Sequence, residues 1–204
     1  MSVYNFFKND IRILSKDLPY DQYCLFALWN TERIIDLYNL FVQKYGVGDF
    51  NEIKSLRNFL WSKFKNENVD DGMYKKFEQI ESFIPPGEKY PGYTNAVVLN
   101  IIICLDTGFK CLAHHENESS ICSLYVYDTI RQLILGKSPQ TKFITPEINR
   151  RIESLNIIQD EIKTQIFILE KIKENDLNNS FIEMIYNHAV ANKIILENIP
   201  SLDV

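Results

Sequence analysis

The sequence has few of the residues that form tight turns. Glycine and proline number only 7 each among 204 residues. A β-sandwich or barrel needs many short strands joined by glycine- and proline-rich turns, so a turn-dense β fold is excluded. The chain is 46% hydrophobic and 13% aromatic, which supports a substantial core and argues against global disorder. We therefore predict an all-α protein.

Thiols and long apolar runs are also scarce. The four cysteines form no CxxC pair and lack the density of a secreted disulfide scaffold; they are Cys24, Cys104, Cys111 and Cys122. The first eight residues lack the apolar run of a signal peptide. The longest apolar stretch, residues 96–105, is interrupted by Asn100 and is shorter than the roughly 20 residues that span a bilayer. These features predict a cytoplasmic protein with reduced thiols and no membrane association.

A basic excess is missing as well. Lys and Arg total 22 against 27 Asp and Glu, which gives a formal net charge of −5. The basic pairs Lys75-Lys76 and Arg150-Arg151 stand alone, whereas nucleic-acid binding needs a clustered basic face. We predict no nucleic-acid partner. A moderately acidic surface is ordinary for a soluble protein, and it also suits a partner with a basic face.

Apolar residues recur at helical spacing through most of the chain. We predict a single-domain helical bundle of about seven helices over residues 1–204, with the main bundle in residues 1–136 and a long antiparallel helical hairpin in residues 145–199. Residues 21–44 should form one central helix, because their apolar positions wrap widely around the axis. Residues 94–114 should form the most hydrophobic helix and lie at the centre of the bundle.

Several residues have the types expected at helix ends. Gly46 and Gly48 should end the central helix, because a residue past a helix C-terminus often needs a positive φ. Asp49 and Thr145 should cap the helices that follow them. Gly108 lies inside a predicted helix, where glycine costs about 1 kcal/mol against alanine unless it permits close packing.

The C-terminal region carries a heptad seam. Apolar residues repeat there every seven positions, at Ile148, Leu155, Ile162 and Leu169. Such a seam is typical of a narrow helix–helix interface. A matching apolar helix follows in residues 180–199, which favours an intramolecular hairpin. A parallel coiled-coil homodimer is the alternative.

One cluster of uncommon residues suggests a polar site. Glu32 and Arg33 are surrounded by apolar residues in the predicted central helix, and a charge there must be paired or solvated. Asp36 follows Arg33 by three positions, so the two can form an ion pair along one helix face. Two interpretations stay open: a ligand site formed with Trp29 and Trp61, or a network that ties helices together.

Other chemical sites receive less support. Cys111, His115 and Cys122 offer zinc-binding groups, but structural zinc sites usually take their ligands in close pairs on tight turns. Neither cysteine lies in the strained turn expected of an activated nucleophile. The glycine turn after residue 45 lacks the preceding strand and the Lys-Ser/Thr of a phosphate loop. His188 has no obvious partner. We therefore predict no metal, no cofactor and no catalytic residue.

Several distinctive residues and short motifs follow one another in the first half of the chain. They are Glu32-Arg33, Tyr38, Phe41, Gly46-Val47-Gly48-Asp49, Leu60-Trp61 and Ile84-Pro85. In order and approximate spacing they resemble the YjaG family of uncharacterised helical bacterial proteins. The resemblance is clear over residues 20–85, weakens through residue 135 and is negligible beyond it. It implies an all-helical fold in the bacterial cytosol and brings no established activity.

This chain departs from that pattern after Tyr93. Members of the family have an acidic residue near the start of the following helix, where this sequence reads Ala96-Val97-Val98-Leu99. If that acid belongs to a polar site with Glu32 and Arg33 in the family, the site is altered here.

The sequence leads to function hypotheses of different classes. The first is a non-enzymatic protein-binding protein, most specifically an immunity protein that neutralises a cognate bacterial toxin. Toxin domains that act on nucleic acid are often basic, so an acidic inhibitor gains electrostatic steering. The alternatives are a bacterial signalling partner and a small-molecule-binding helical protein or enzyme with a pocket near Trp29, Glu32, Arg33 and Trp61.

Overall fold

Helices make up the regular structure of this protein. The structure is a computed structural model, and it describes residues 2–65, 75, 77–90, 92–113, 119–138 and 144–202. Within those ranges there is no β-strand. The prediction of an all-α fold is confirmed.

The α-helices are numbered here in chain order. They are α1 (Val3–Ser15), α2 (Tyr20–Ile34), α3 (Tyr38–Tyr45), α4 (Phe50–Phe64), α5 (Tyr93–Leu112), α6 (Ser119–Gly136), α7 (Pro146–Ser154), α8 (Asn156–Glu174) and α9 (Asn179–Ala191). Short 3₁₀ helices occupy Ile35–Leu37, Ile80–Phe83 and Leu196–Asn198.

The centre of the molecule is helix α2. Every residue from Gln22 to Ile34 is buried, which is the behaviour of a helix that is covered on all sides. Helices α4, α5, α6, α8 and α9 all pack against it. One cluster of buried apolar side chains extends from Phe7 in α1 to Leu202 near the C-terminus.

Helix α5 is the most apolar of these elements. By length and composition alone it could cross a membrane, but the core helix of a soluble protein has the same composition. Here α5 packs against α2, α3, α4 and α6. Gly108 permits this packing, because a Cβ atom added there would lie 3.3 Å from Leu60 Cδ1 and 3.4 Å from Leu28 Cδ2.

The predicted helix caps are present. The Asp49 carboxylate accepts hydrogen bonds from the backbone N–H groups of Asn51 (2.8 Å) and Glu52 (3.2 Å) at the start of α4. The Thr145 hydroxyl accepts from the N–H of Ile148 (3.2 Å) at the start of α7. Gly46 ends α3 with φ of 64°, a conformation that glycine adopts without a steric penalty.

The prediction of one continuous helix over residues 21–44 is wrong. The 3₁₀ segment Ile35–Leu37 separates α2 from α3. The Arg33 carbonyl, at the C-terminal end of α2, accepts from the N–H of Ile194 at 2.9 Å. A chain segment from the other end of the sequence therefore contacts the backbone where α2 gives way to the 3₁₀ segment.

The long C-terminal hairpin is also wrong in detail. Leu155 has an extended backbone (φ −67°, ψ 138°) and divides the seam into α7 and α8. Contacts of Glu153 fix the break: its carbonyl accepts from Gln159 Nε2 (2.6 Å) and its carboxylate from the Val3 N–H (3.0 Å). The second arm ends at Ala191, not at residue 199. Helices α8 and α9 each pack on α2 and do not form an extended interface with each other, because α2 offers apolar surface on every side.

Some predictions fall where the structure is not described. His115, one of the three residues of the zinc hypothesis, lies outside the described residues. The end of the most hydrophobic predicted helix, residue 114, does so as well.

Candidate functional site

Four of the five predicted site residues lie together in the core. Trp29 and Glu32 have no exposed surface, and Arg33 and Trp61 are 4% and 5% exposed. The fifth, Asp36, lies at the edge with its side chain 48% exposed. We call this set and its partners the central polar cluster; the partners are Arg57, Glu161, His188 and Lys193.

Arg33 forms a two-pronged ion pair with Glu161 of α8. Its Nη1 and Nη2 atoms donate to Oε1 and Oε2 of Glu161, at 2.6 Å and 2.5 Å. Its Nε–H donates to the carbonyl of Asn192, at 2.9 Å. The guanidinium also lies over the Trp29 ring, 4.6 Å from the centroid. Gln165 Nε2 donates to the same carboxylate, at 2.6 Å, so both charges of the pair are hydrogen-bonded.

Glu32 points to a different set of partners. Arg57 Nη1 of α4 donates to both of its carboxylate oxygens, at 3.1 Å each. The indole N–H of Trp61 donates to Oε2, at 3.1 Å. Lys193 Nζ lies 3.3 Å from Oε1. Two cations and an indole thus surround one carboxylate, which a buried carboxylate requires.

Trp29 has a partner that the sequence did not suggest. Its indole N–H donates to Nδ1 of His188 on α9, at 3.2 Å. Burial lowers the pKa of His188 below its ordinary value of 6.5, and the positive charge of Arg33 lowers it further. Both effects favour the neutral imidazole, which leaves Nδ1 free to accept the bond.

The predicted ion pair between Arg33 and Asp36 is wrong. Asp36 Oδ2 accepts from Lys193 Nζ at 2.6 Å, while Arg33 is bound to Glu161. The helix ends at Ile34, so the three-residue spacing no longer places both side chains on one face. Burial lowers the pKa of Lys193, but the carboxylates of Asp36 and Glu32 outweigh it and raise the pKa overall.

The geometry of the central polar cluster favours the helix-tethering interpretation. Each charged group meets an opposite charge from another part of the chain. The contacts join α2 to α4, to α8 and to the segment after α9. A ligand at Trp29 or Arg33 would have to displace Glu161 or His188, because these side chains fill the space around both residues.

The cysteines form two contacts between helices. Cys104 and Cys122 each point at the other's backbone carbonyl, with sulfur–oxygen distances of 3.8 Å and 3.9 Å. Burial and contact with Cys104 raise the pKa of Cys122. A hydrogen bond with Cys111 and burial raise the pKa of Cys24. The thiols of Cys24 and Cys122 therefore stay protonated, and a protonated thiol is a poor nucleophile. In the described ranges no group of three metal-ligating side chains occurs, and His115 of the zinc hypothesis lies outside them.

A second feature, which the sequence analysis did not predict, is a large groove between α1, α6 and α7. Its volume is about 1,120 Å³. We call it the peripheral groove; its walls are side chains from residues 2–4, 121–131 and 146–154 and from Gln159. Ile121, Leu124 and Tyr125 form an apolar wall on one face of α6.

Four charged side chains line the peripheral groove. Asp128 and Arg131 come from α6, and Arg150 and Glu153 from α7. Arg131 Nη1 lies 3.4 Å from Asp128 Oδ1, and Arg131 Nη2 donates to Asn149 Oδ1 at 3.1 Å. The formal charges of the four side chains cancel.

Two tyrosines pack at the base of the peripheral groove. The rings of Tyr4 and Tyr127 lie 5.1 Å apart. Burial raises the pKa of both hydroxyls, and so do carboxylates, mainly Asp128 for Tyr4 and Glu153 for Tyr127. Both phenols therefore remain neutral donors at physiological pH. They place hydrogen-bonding groups and aromatic surface in one concave site.

A weak signal for the peripheral groove exists in the sequence. Leu124, Tyr125, Asp128 and Arg131 have the spacing of residues that share one face of a helix. The other walls, α1 and α7, meet α6 only in the folded chain, so sequence spacing could not reveal a cavity between them.

Comparisons with known proteins place the fold. The structure is similar to the crystal structure of a DUF416 family protein from Shewanella baltica OS155, with a TM-score of 0.73 and 16% sequence identity. The similarity covers 98% of each chain. At this level of identity it concerns the fold alone. No curated protein matches the chain significantly.

A family model covers most of the sequence. The model, described as protein of unknown function (DUF416), matches residues 12–195. This agrees with the expected membership in an uncharacterised helical family, but it corrects the expected limit near residue 135. The longer extent is physically reasonable, since Glu161 and His188 complete the central polar cluster. The chain therefore belongs to the DUF416 family of proteins of unknown function.

Proposed function

We propose that this chain is a non-enzymatic protein-binding protein whose partner inserts a segment into the peripheral groove. The observation that supports this proposal is the size of the groove. Its volume of about 1,120 Å³ exceeds the range of roughly 300–1,000 Å³ typical of small-molecule sites. A segment of polypeptide fills such a space better than a metabolite does.

The composition of the peripheral groove also supports a protein partner. Protein interfaces are enriched in tyrosine and arginine around an apolar centre with a polar rim. Leu124 and Tyr125 supply the apolar wall, while Arg150 and Gln159 supply polar groups. The central polar cluster offers no comparable space, because its side chains bind one another.

The sharper form of the proposal is an immunity protein for a bacterial toxin. Its support is the net charge of −5, which steers a basic partner towards the protein before contact. The steering comes from the whole surface, since the charges of the peripheral groove cancel.

Calorimetry with the product of the neighbouring gene tests both the protein-binding groove and the immunity function. We expect binding, and we expect Leu124→Asp to weaken it at least about tenfold by placing a charge on the apolar wall. Leu99→Asp on α5 is the matched control: Leu99 is exposed and does not line the groove, so binding should change less than about twofold. Equal binding by the Leu124 and Leu99 variants would exclude the groove. If no neighbouring toxin domain binds, the immunity form fails.

The YjaG-like identity and a cytoplasmic location belong to the same proposal. The first rests on Glu32, Arg33 and the Gly46–Asp49 turn, all of which have defined structural roles here. The second rests on four buried cysteines that are free thiols, as expected in a reducing compartment. Cell fractionation checks the location, and recovery in the periplasm would contradict it.

A further inference from the structure

We infer that the segment bound by the peripheral groove is acidic, with a carboxylate held by Arg131 and Arg150 and an apolar side chain beside it. This inference rests on the proposed function and specifies the chemistry of the partner. The four charged side chains of the groove cancel in number. They differ in burial and in the contacts that each makes: Glu153 is nearly buried, whereas Arg150 is exposed.

Each carboxylate of the groove already accepts a hydrogen bond from within the protein. Asp128 Oδ2 accepts from Asn100 Nδ2 at 3.2 Å, and Oδ1 faces Arg131. Glu153 Oε2 accepts from the backbone N–H of Val3 at 3.0 Å. That bond lies at the start of α1, where the helix dipole favours a negative charge. Glu153 is only 9% exposed. A cationic ligand would meet one carboxylate that is almost fully buried, Glu153, and one that already faces Arg131, Asp128.

The guanidinium groups of Arg131 and Arg150 have N–H donors that no described residue of the protein uses. A guanidinium presents its N–H donors in a fixed planar fork. Arg131 uses one hydrogen on each Nη, for Asp128 and Asn149. Within the described ranges its Nε–H and the remaining Nη hydrogens have no protein partner. Among the described residues, Arg150 donates only from Nε, to the carbonyl of Pro146 at 3.4 Å, and it is exposed.

A carboxylate matches these free donors. Two parallel N–H···O bonds from one guanidinium give geometric selection as well as energy. The apolar wall of Leu124 and Tyr125 lies on the same helix as Arg131 and within one to two turns of it. Side chains of an extended peptide alternate between two faces, so residues i and i+2 point the same way. A Leu-x-Glu or Tyr-x-Glu pattern would therefore place its apolar side chain on that wall and its acid on the fork.

A titration with synthetic peptides tests the inference. The probes are three blocked hexapeptides, acetylated and amidated: Leu-Glu-Tyr-Leu-Glu-Leu, the same peptide with glutamine for glutamate, and the same with lysine. Backbone amide shifts in the NMR spectrum of the whole chain report binding and its location. We expect the glutamate peptide to bind about tenfold more tightly than the glutamine peptide, with shifts around α6 and α7.

Substitutions of the two arginines test whether they cause the preference for the glutamate peptide. Arg131→Gln should remove most of the preference, and Arg131→Lys should keep only part of it because lysine has no planar fork. Arg150→Gln, at an exposed position, should reduce it about threefold and serves if Arg131→Gln fails to fold. Lys163→Gln is the control. It removes the same charge from an exposed site that pairs with Asp160 outside the groove, so the preference should persist.

Three results would overturn the inference: equal binding of the acid and amide peptides, preference for the lysine peptide, or no binding of any peptide at about 1 mM. Binding of free glutarate as tightly as the peptide would also overturn it, in favour of a small acid. The proposed function fails separately, through the Leu124→Asp test with the protein partner. If that test succeeds while the peptides show no acid preference, only the chemistry inferred here is wrong.

Discussion

Arg33 and Glu161 lie 128 positions apart in sequence and form a bidentate ion pair in the core. Both side chains are almost fully buried, with 4% and 3% of their surfaces exposed. A buried pair of this kind adds little net stability against an apolar replacement, but removal of one partner leaves an uncompensated charge. The pair therefore fixes how α8 sits on α2.

Removing one member of this pair should be strongly destabilising. We expect Arg33→Met to lower the free energy of unfolding by about 3–5 kcal/mol, because the Glu161 carboxylate loses its counter-charge in the core. Arg33→Met combined with Glu161→Leu should recover part of that loss. Urea unfolding measures both. A change within about 0.5 kcal/mol, as expected for the exposed Lys163–Asp160 pair, would contradict the tethering role.

Glu32 should be equally sensitive to loss of its charge. Glu32→Gln keeps the shape but leaves Arg57 and Lys193 facing a neutral amide, and we expect a loss of about 3 kcal/mol. Trp61→Phe removes the indole donor and leaves a smaller ring at a buried position, so the loss should be about 1–3 kcal/mol. Chemical denaturation separates the two. If Glu32→Gln kept full stability but abolished binding of a measured ligand, the ligand-site interpretation would be favoured instead.

Stability should depend on pH through His188. The pKa of His188 in the folded protein lies below the ordinary value of 6.5, so the unfolded chain takes up the proton first. The free energy of unfolding therefore rises with pH between the pKa of His188 in the folded protein and about 6.5. The contribution of the neutral imidazole is complete above about pH 6.5 and is lost as pH falls towards the folded pKa.

His188→Asn isolates this effect. The amide oxygen of asparagine accepts from the Trp29 N–H without titrating, so the difference in stability between wild type and variant should change below pH 6.5 and not above it. Denaturation at about pH 7.5 and pH 5 provides the comparison. A difference independent of pH would show that His188 does not titrate in this interval.

Gly136 should tolerate no side chain. Alanine usually stabilises a helix by up to about 1 kcal/mol relative to glycine. At Gly136, however, a Cβ atom would overlap Cδ1 of the Tyr93 ring. We expect Gly136→Ala to destabilise by about 1–3 kcal/mol through this overlap. Gly87→Ala, whose nearest contact would be 3.4 Å from Asn95 Nδ2, should change thermal stability little. Equal melting temperatures for the two variants would disprove the close approach.

Local features of the fold were predictable from residue types. Gly46, Asp49 and Thr145 act at helix ends as their chemistry indicates, because caps depend on backbone groups within a few residues. The burial of α2 followed from apolar residues on every side of its axis. These predictions required no knowledge of distant contacts.

The candidate site was predictable only in part. Trp29, Glu32 and Arg33 of α2 do meet Trp61 of α4 in the core, since buried charges need partners. Most of their partners were not identified from the sequence. Asp36 lies three positions from Arg33, but Arg33 binds Glu161, and Asp36 accepts from Lys193.

The sequence by itself determined the fold class, the helix caps and the residues that had to be buried, because these depend on composition and on short-range spacing. Only the tertiary structure decided that Arg33 pairs with Glu161, that α7 and α8 part at Leu155, and that α1, α6 and α7 enclose a groove. Such pairings depend on which distant surfaces meet when the chain packs around α2. Periodicity along one helix specifies a face for burial but not the residue that covers it.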